Sequence, residues 1–482
     1  MSSLTQALSI ALSGLQTSTS LISVASKNIS NAQTPGYTTK TANTTSVDYG
    51  GSFGGVTISS YSRANNQALT NDYNMSTTAA GYTSTQDGYM KQIQTILNSS
   101  ATNPQLSNDM AQFAAAWNQY AAAPESSIQQ VNVISAGQTL VNDIHSAATQ
   151  IGNLAAQLQT DIKTDVSSLN DDLQQITQIN EQVQVAKTTG QPTVDLEDQL
   201  DTLVNKVSSF MNVTVQPRAN GQIAVYTPSG QLLVDANTAQ TFSWNGTAIT
   251  DNVGNNVTSA FSGGSIQAAT DFLDQSASAA SSSIPGVGTI AKFKAQLSTL
   301  VDALTASSTG STSAFVTAYG NAVTASTAVG ASQAGSTTVA ASFFTVTNGS
   351  NGFPDASSLQ VNSGLKSGTS FLPQTGVQAI ADSFNSVANY STSGLNAPSV
   401  TYTGLTSAIL ATFQQTANII SAQNTAATSQ QTYYQQAITN QTGVNIDTEL
   451  ANLVSYQNSY AASAHVISTV NQMLTTLMGL VS

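Results

Sequence analysis

Four carboxylates, Asp195, Glu197, Asp198 and Asp201, crowd into seven residues. Paired carboxylates can do general acid–base work. These lie at the start of a predicted helix, where the macrodipole favours negative charge, so a solvated helix face is the expected reading. The two histidines, His145 and His465, belong to no H-E-x-x-H arrangement and are expected on helix surfaces. "GVGTIA" (286–291) spells a dinucleotide-type G-x-G-x-x-A, but it follows "SASAASSSIP", which is no buried strand. No acidic residue stands at the later spacing such a site needs. There is no G-x-S-x-G elbow, and without cysteine no disulfide, thiolate metal site or cysteine nucleophile can form. A non-catalytic protein with no cofactor and no metal is expected.

The chain has 482 residues, enough for about three domains. Only 7% are charged, against roughly 25% in ordinary soluble domains. Hydroxyls and amides must solvate the surface instead, which suits exposure to an uncontrolled medium. The formal charge is −13, and Arg63 and Arg218 are the only arginines. No basic face is available for nucleic acid, and anionic membranes are disfavoured for the same reason. No unbroken apolar run reaches the roughly 18 residues of a membrane span. A secretory signal is also missing, since Lys27 is the first basic residue.

The elements that must carry any function are helices. Leu8, Leu15, Ile22 and Ile29 recur every seven residues, with Leu4, Ala11, Ser18 and Ala25 between them. This is an a/d seam whose small d residues let a partner helix approach closely. "NAQTPGY" (31–37) then stops the helix, because Pro35 lacks an amide hydrogen and Gly36 accepts the positive φ of a type II turn. Residues 38–62 read as extended or loop. Helical character runs over about 65–121 and, after Pro124, through Ile144, Ile151, Leu154 and Leu158 to Val166, Leu169, Leu173, Ile176 and Val183. The phase change between those sets resembles a coiled-coil stutter. A further helix covers about 194–211. Over 212–236 the period becomes two, with "ANG" and "PSG" turns. Residues 266–305 look helical, 306–340 read as a loose insert or short strands, and helix returns over about 404–440. At the C-terminus Ile446, Leu453, Tyr460, Ile467, Leu474 and Val481 form a second strict heptad series, with Tyr456, Val470 and Leu477 at d and Ser463 as the polar exception.

"SGLQTSTSLISVASKNISNAQTPGY" and "GVNIDTELANLVSYQNSYAASAHVISTVNQMLTTLMGL" together resemble the two ends of the bacterial flagellar axial proteins, the rod, hook and hook-associated subunits. Asn31, Pro35, Gly36 and Tyr37 match that family's turn motif. "AAAPESSIQQVNVISAGQTLVNDI" and "FMNVTVQPRANGQIAVYTPSGQLLVD" are similar to the hook-associated branch at the hook–filament junction. "TTK" follows Tyr37 where relatives often carry an Arg within two residues.

The resemblance implies an α + β multidomain protein with paired terminal coiled-coil helices, a discontinuous long-helix bundle domain and a β-rich inserted middle domain. The segments are 1–60 (axial helix and turn), 60–211 and 355–445 (helical domain), 212–354 (β-rich middle with some helix) and 446–482 (second axial helix). It implies an extracellular adaptor joining hook to filament, exported unfolded without a cleaved signal peptide. The partners implied are copies of itself in a ring or helical tube, the hook protein, the second junction hook-associated protein and an export chaperone, with no nucleic acid and no membrane insertion. Leu4, Leu8, Ala11, Leu15, Ile22, Ala25, Ile29, Ile446, Leu453, Tyr456, Tyr460, Ile467, Val470, Leu474 and Leu477 are the expected assembly interface. Isolated helices with so narrow a seam are marginal in water, so the ends are expected to order on assembly. The alternatives are another axial subunit, hook or distal rod, or a secreted hydrolase carried on the middle segment.

Overall fold

The computed structural model describes residues 2–49, 52–97, 105–308, 312–331, 338–348, 354–392 and 394–479. Val481 of the heptad series lies outside them. The molecule is mostly helical, 66%, with a few small antiparallel sheets, in agreement with the α + β expectation.

Helix α1 (Ser2–Asn31) leads through the turn into a hairpin of β1 (Lys40–Tyr49) and β2 (Ser52–Arg63). Four helices follow: α2 (Gln67–Ile96), α3 (Gln105–Ala122), α4 (Ser127–Thr189) and α5 (Val194–Phe210). The period-two stretch becomes a four-stranded antiparallel sheet of β3 (Thr214–Pro217), β4 (Ile223–Tyr226), β5 (Leu232–Asp235) and β6 (Thr238–Ala239). A small ribbon, β7 (Ser243–Trp244) and β8 (Ile249–Thr250), completes the strand-rich part. Then come α6 (Gly264–Leu273), α7 (Ala277–Ala280), α8 (Thr289–Thr305) and α9 (Ala314–Ala328). A short pair, β9 (Phe344–Thr345) and β10 (Gln360–Val361), precedes α10 (Ser363–Ser367) and α11 (Val377–Ser383). A hairpin of β11 (Ala388–Thr392) and β12 (Leu395–Val400) opens into α12 (Tyr402–Thr442) and α13 (Ile446–Gly479).

The chain folds into two compact units, each discontinuous: one of 1–81, 165–264 and 427–482, the other of 82–164 and 265–426. In the first, α1 packs along α13 and along the hairpin. The sheet β3–β6 is held to α4 by side-chain amides that act as strand partners. Asn180 Nδ2 donates to the Ile223 and Ala236 carbonyls, each at 2.9 Å, and its Oδ1 accepts from Ile223 N at 2.9 Å. Asn170 makes the same two-way contact with Phe242. Such bonds satisfy backbone groups that burial would otherwise leave unpaired.

The second unit is built on aromatics. Phe113, Trp117 and Tyr120 of α3 meet Phe315 and Tyr319 of α9, with Phe343, Phe344, Phe384 and Tyr402 around them. Phe113 lies edge-on to Phe384 at 5.5 Å, a favoured aromatic geometry. Gly137 of α4 makes room for this cluster, since a Cβ there would stand 2.5 Å from the Phe343 ring.

Two readings change. Residues 306–340 are neither a loose insert nor short strands where described. Helix α9 occupies Ala314–Ala328 and buries Phe315, Tyr319, Ala322 and Ser326, a narrow stripe that the surrounding Ala, Ser and Thr disguise. The second is Leu4–Asn31, which reaches a mean hydropathy of 1.3, so by length and composition it could cross a membrane. Ser and Thr interrupt every apolar run there without lowering the average enough to exclude a span.

Candidate assembly interface

The turn after α1 has the expected form. Tyr37 N donates to the Thr34 carbonyl at 3.2 Å, and Gly36 sits at φ +80°, the left-handed geometry that a type II turn needs at that position. Pro35 and Gly36 are exposed, whereas Tyr37 is half-buried. Its hydroxyl donates to Asn28 Oδ1 at 2.9 Å. Asn28, fully buried one turn before the end of α1, also accepts from Lys40 N at 3.0 Å and donates to the Lys40 carbonyl at 2.9 Å. One asparagine thus ties the helix end to the tyrosine and to the first residue of β1. Burial, then the charges of Asp195, Asp198 and Glu449, push the Tyr37 hydroxyl up to about 12, which keeps it a donor.

Of the carboxylates of α5, Asp195 lies on a solvated face and Glu197 and Asp201 are half-buried, but Asp198 is not solvated. Asp198 is buried and ion-paired with Lys40, whose Nζ also donates to the Val194 carbonyl at 3.1 Å. Thr38 gives Asp198 two further bonds, from its amide at 3.0 Å and its hydroxyl at 2.7 Å. Arg63, opposite Lys40 at the base of the hairpin, reaches Glu197 at 3.0 Å, Asp198 at 3.0 Å and Asp201. Lys27 of α1 pairs with Asp195 at 3.2 Å, both well exposed. Desolvation pulls the Lys40 ammonium down while Asp198 acts the other way. Cations on residues that flank the hairpin therefore meet acids on one helix, and the hairpin base is locked to α5.

The same joint reaches the other chain end. Thr39 N donates to the Thr442 carbonyl, and its hydroxyl to the Gly443 carbonyl, both at 2.8 Å. Glu449, in the first turn of α13, is buried; burial pushes its carboxyl up while a hydrogen bond with Asn28 acts against this. Asn445 caps α13, accepting from Thr448 N at 3.1 Å.

Helices α1 and α13 pair, and small residues sit in the closest places. Ala11, Ser18 and Ala25 are buried, and a Cβ on Gly14 would stand 3.0 Å from Ser463 Oγ. Leu4, Leu8, Leu15, Ile22 and Ile29 are half-buried, as are Leu453, Tyr456, Ile467 and Leu474. Val470 is buried. Ile446, Tyr460 and Leu477 stay exposed, at 42%, 40% and 40%, so the pair does not cover the whole seam. Outside the seam, Leu12, Leu450, Val454, Val466 and Met473 are exposed too. His465 is exposed, whereas His145 is half-buried with Nε2 turned inward and unbonded.

Sequence reading missed Asn28, Lys40, Arg63 and the burial of Asp198. A usable signal existed: in a chain with 11 Lys and Arg residues, two lie near 40–63 and four acids lie at 195–201.

Two stretches of the chain are similar to known flagellar proteins. Residues 90–306 match the helical domain of the flagellar hook-associated protein FlgK, and 435–480 match the C-terminal domain of the flagellar basal body rod proteins FlgEFG. Flagellar hook-associated protein 1 of Bacillus subtilis is 25% identical over 251 residues, 49% of this chain and 48% of that protein. Its Escherichia coli counterpart is 26% identical over 238 residues, 48% and 43% respectively. These matches therefore span about half the length of the relatives or less. The flagellar hook junction protein FlgK of Burkholderia pseudomallei aligns over 57% of this chain and 47% of its own, with 20% identity and a TM-score of 0.41. Over 90–306 this chain is thus similar to the helical domain of the flagellar hook-associated protein FlgK, and over 435–480 to the C-terminal domain of the flagellar rod proteins.

Proposed function

We propose that the chain is a non-catalytic adaptor of the bacterial flagellum, polymerising at the hook–filament junction through α1 and α13. Apolar side chains left uncovered along the α1–α13 pair carry this reading. Each Leu or Ile contributes about 1.5–3 kcal/mol only when water is removed from it fully, and the pair alone does not achieve that. Head-to-tail contacts between identical copies supply the missing cover and generate rings or helical tubes. Export proceeds through the flagellum's own apparatus with a chaperone. The hook protein binds on one side and the second junction protein on the other.

In this reading the Asn28–Tyr37–Lys40–Asp198 joint separates the part that polymerises from the part that folds alone. Leu15→Asp or Leu474→Asp abolishes incorporation into flagella while the isolated chain keeps its helical content; normal filaments from either variant refute the proposal. Amide exchange is fast over 4–29 and 450–478 in the monomer and slows on assembly. A hook or distal-rod subunit is the second reading, favoured by the rod-type match at 435–480. Complementation of strains lacking a junction protein or a rod protein separates the two.

A further inference from the structure

We infer that Asn245 is a self-modifying site: in the folded chain its side chain condenses with the Gly246 amide and converts to aspartate and isoaspartate. Asn-Gly pairs occur at 220–221, 245–246, 348–349 and 351–352, and the last two reach beyond the described residues. Glycine has no Cβ to block the approach of its nitrogen to the preceding side chain. Gly246 N loses its proton to solvent and bonds to Asn245 Cγ, while Nδ2 takes up a proton and leaves as ammonia. Water then opens the cyclic imide at either carbonyl. One opening gives aspartate; the other routes the backbone through the side chain and gives isoaspartate. Water is the co-reactant, and nothing is oxidised or reduced.

The same pair of residues at 220–221, in the turn between β3 and β4, is held against this reaction. Gly221 N donates to the Arg218 carbonyl at 2.9 Å, whereas Gly246 N meets no acceptor among the described residues. Asn220 Nδ2, the leaving nitrogen, donates to Gln222 Oε1 at 2.6 Å, whereas Asn245 Nδ2 carries no hydrogen bond among the described residues. Asn220 Oδ1 accepts from Gln222 N at 3.2 Å. Asn245 Oδ1 accepts from Thr247 N at 3.0 Å, Thr247 Oγ1 at 3.0 Å and Ala248 N at 2.8 Å. That oxygen gains negative charge when Cγ is attacked, and donors already in place stabilise it without reorganisation. The bond from Thr247 N also closes an Asx turn, which folds the side chain back over the next peptide. A Cβ on Gly246 would meet nothing within 4 Å, so the imide has room, whereas one on Gly221 would stand 2.5 Å from Lys187 Nζ. Isoaspartate lengthens the backbone next to the Trp244–Ile249 pair and so undoes the register of the β7–β8 ribbon. Both products add a negative charge.

The test incubates the full chain at neutral pH, folded and in concentrated denaturant, and follows each site by tandem mass spectrometry as a gain of about 1 Da. In the folded chain conversion at 245 outruns that at 220 by about tenfold or more, and in denaturant the two rates come together. Thr247→Val removes one donor and slows 245 several-fold in the folded chain without changing 220. Thr247→Ser, which keeps the hydroxyl, keeps the parent rate. The comparison of 245 with 220 in the parent chain decides the matter if Thr247→Val does not fold. Folded-state conversion at 220 as fast as at 245, or a folded Thr247→Val chain that converts at the parent rate, overturns the inference.

Discussion

Helices α4 and α13 carry the same kind of apolar repeat and meet opposite fates. Along α4, Leu154, Leu158, Ile162, Val166, Leu169, Leu173 and Ile176 are each no more than 3% exposed. Along the repeat of α13, Val470 is buried, while Ile446, Tyr460 and Leu477 are each 40% exposed or more. The residue types hardly differ; the supply of neighbours does. The chain returns to α4 with α5, a sheet and several further helices, but offers α13 chiefly α1. A repeat tells which face of a helix is apolar, and the remaining chain decides whether that face is covered.

The sharpest way to break this comparison is to truncate equivalent leucines. Leu158→Ala in α4 costs about 2–5 kcal/mol in a denaturant titration of the monomer, as a filled core position should. Leu474→Ala in α13 costs under about 1 kcal/mol in the same titration, because its side chain is only partly removed from water. Equal costs at the two sites would mean that α13 is already as well covered as α4.

The polar joint between these regimes gives intermediate effects. Lys40→Met removes one cation from the buried Asp198 but leaves Arg63 in place. The loss is about 2–3 kcal/mol, below the 3–5 kcal/mol of a buried charge left wholly unpaired. Chemical denaturation measures it, and Asp198→Asn in the same background recovers part of it. Gly36→Val costs about 1–3 kcal/mol, since a β-branched residue at φ +80° is strained and its Cβ would stand 2.6 Å from Thr202 Oγ1. If Gly36→Val neither destabilises the chain nor alters assembly, the turn is a plain connection.

Much of the fold was legible because it rests on local pattern. The heptads of α1, α4 and α13, the type II turn at Pro35-Gly36 and the period-two strands after residue 212 all follow from backbone preference and side-chain spacing. Helix α9 was not legible, because four buried positions among Ala, Ser and Thr give too weak a contrast. The burial of Asp198 among the carboxylates at 195–201 was missed for a related reason. A helix start with acids looks solvated until residues 27, 40 and 63, more than 130 positions away, arrive as cations.

The sequence by itself settled where helices and turns form and which of their faces are apolar, since those depend on neighbours within a few residues. It also excluded cysteine chemistry outright. Only the tertiary structure decided which apolar faces are covered, which acids are paired and that Asn28 is the hub of the joint. Burial and charge compensation depend on distant segments meeting in space, and spacing along the chain does not record those meetings.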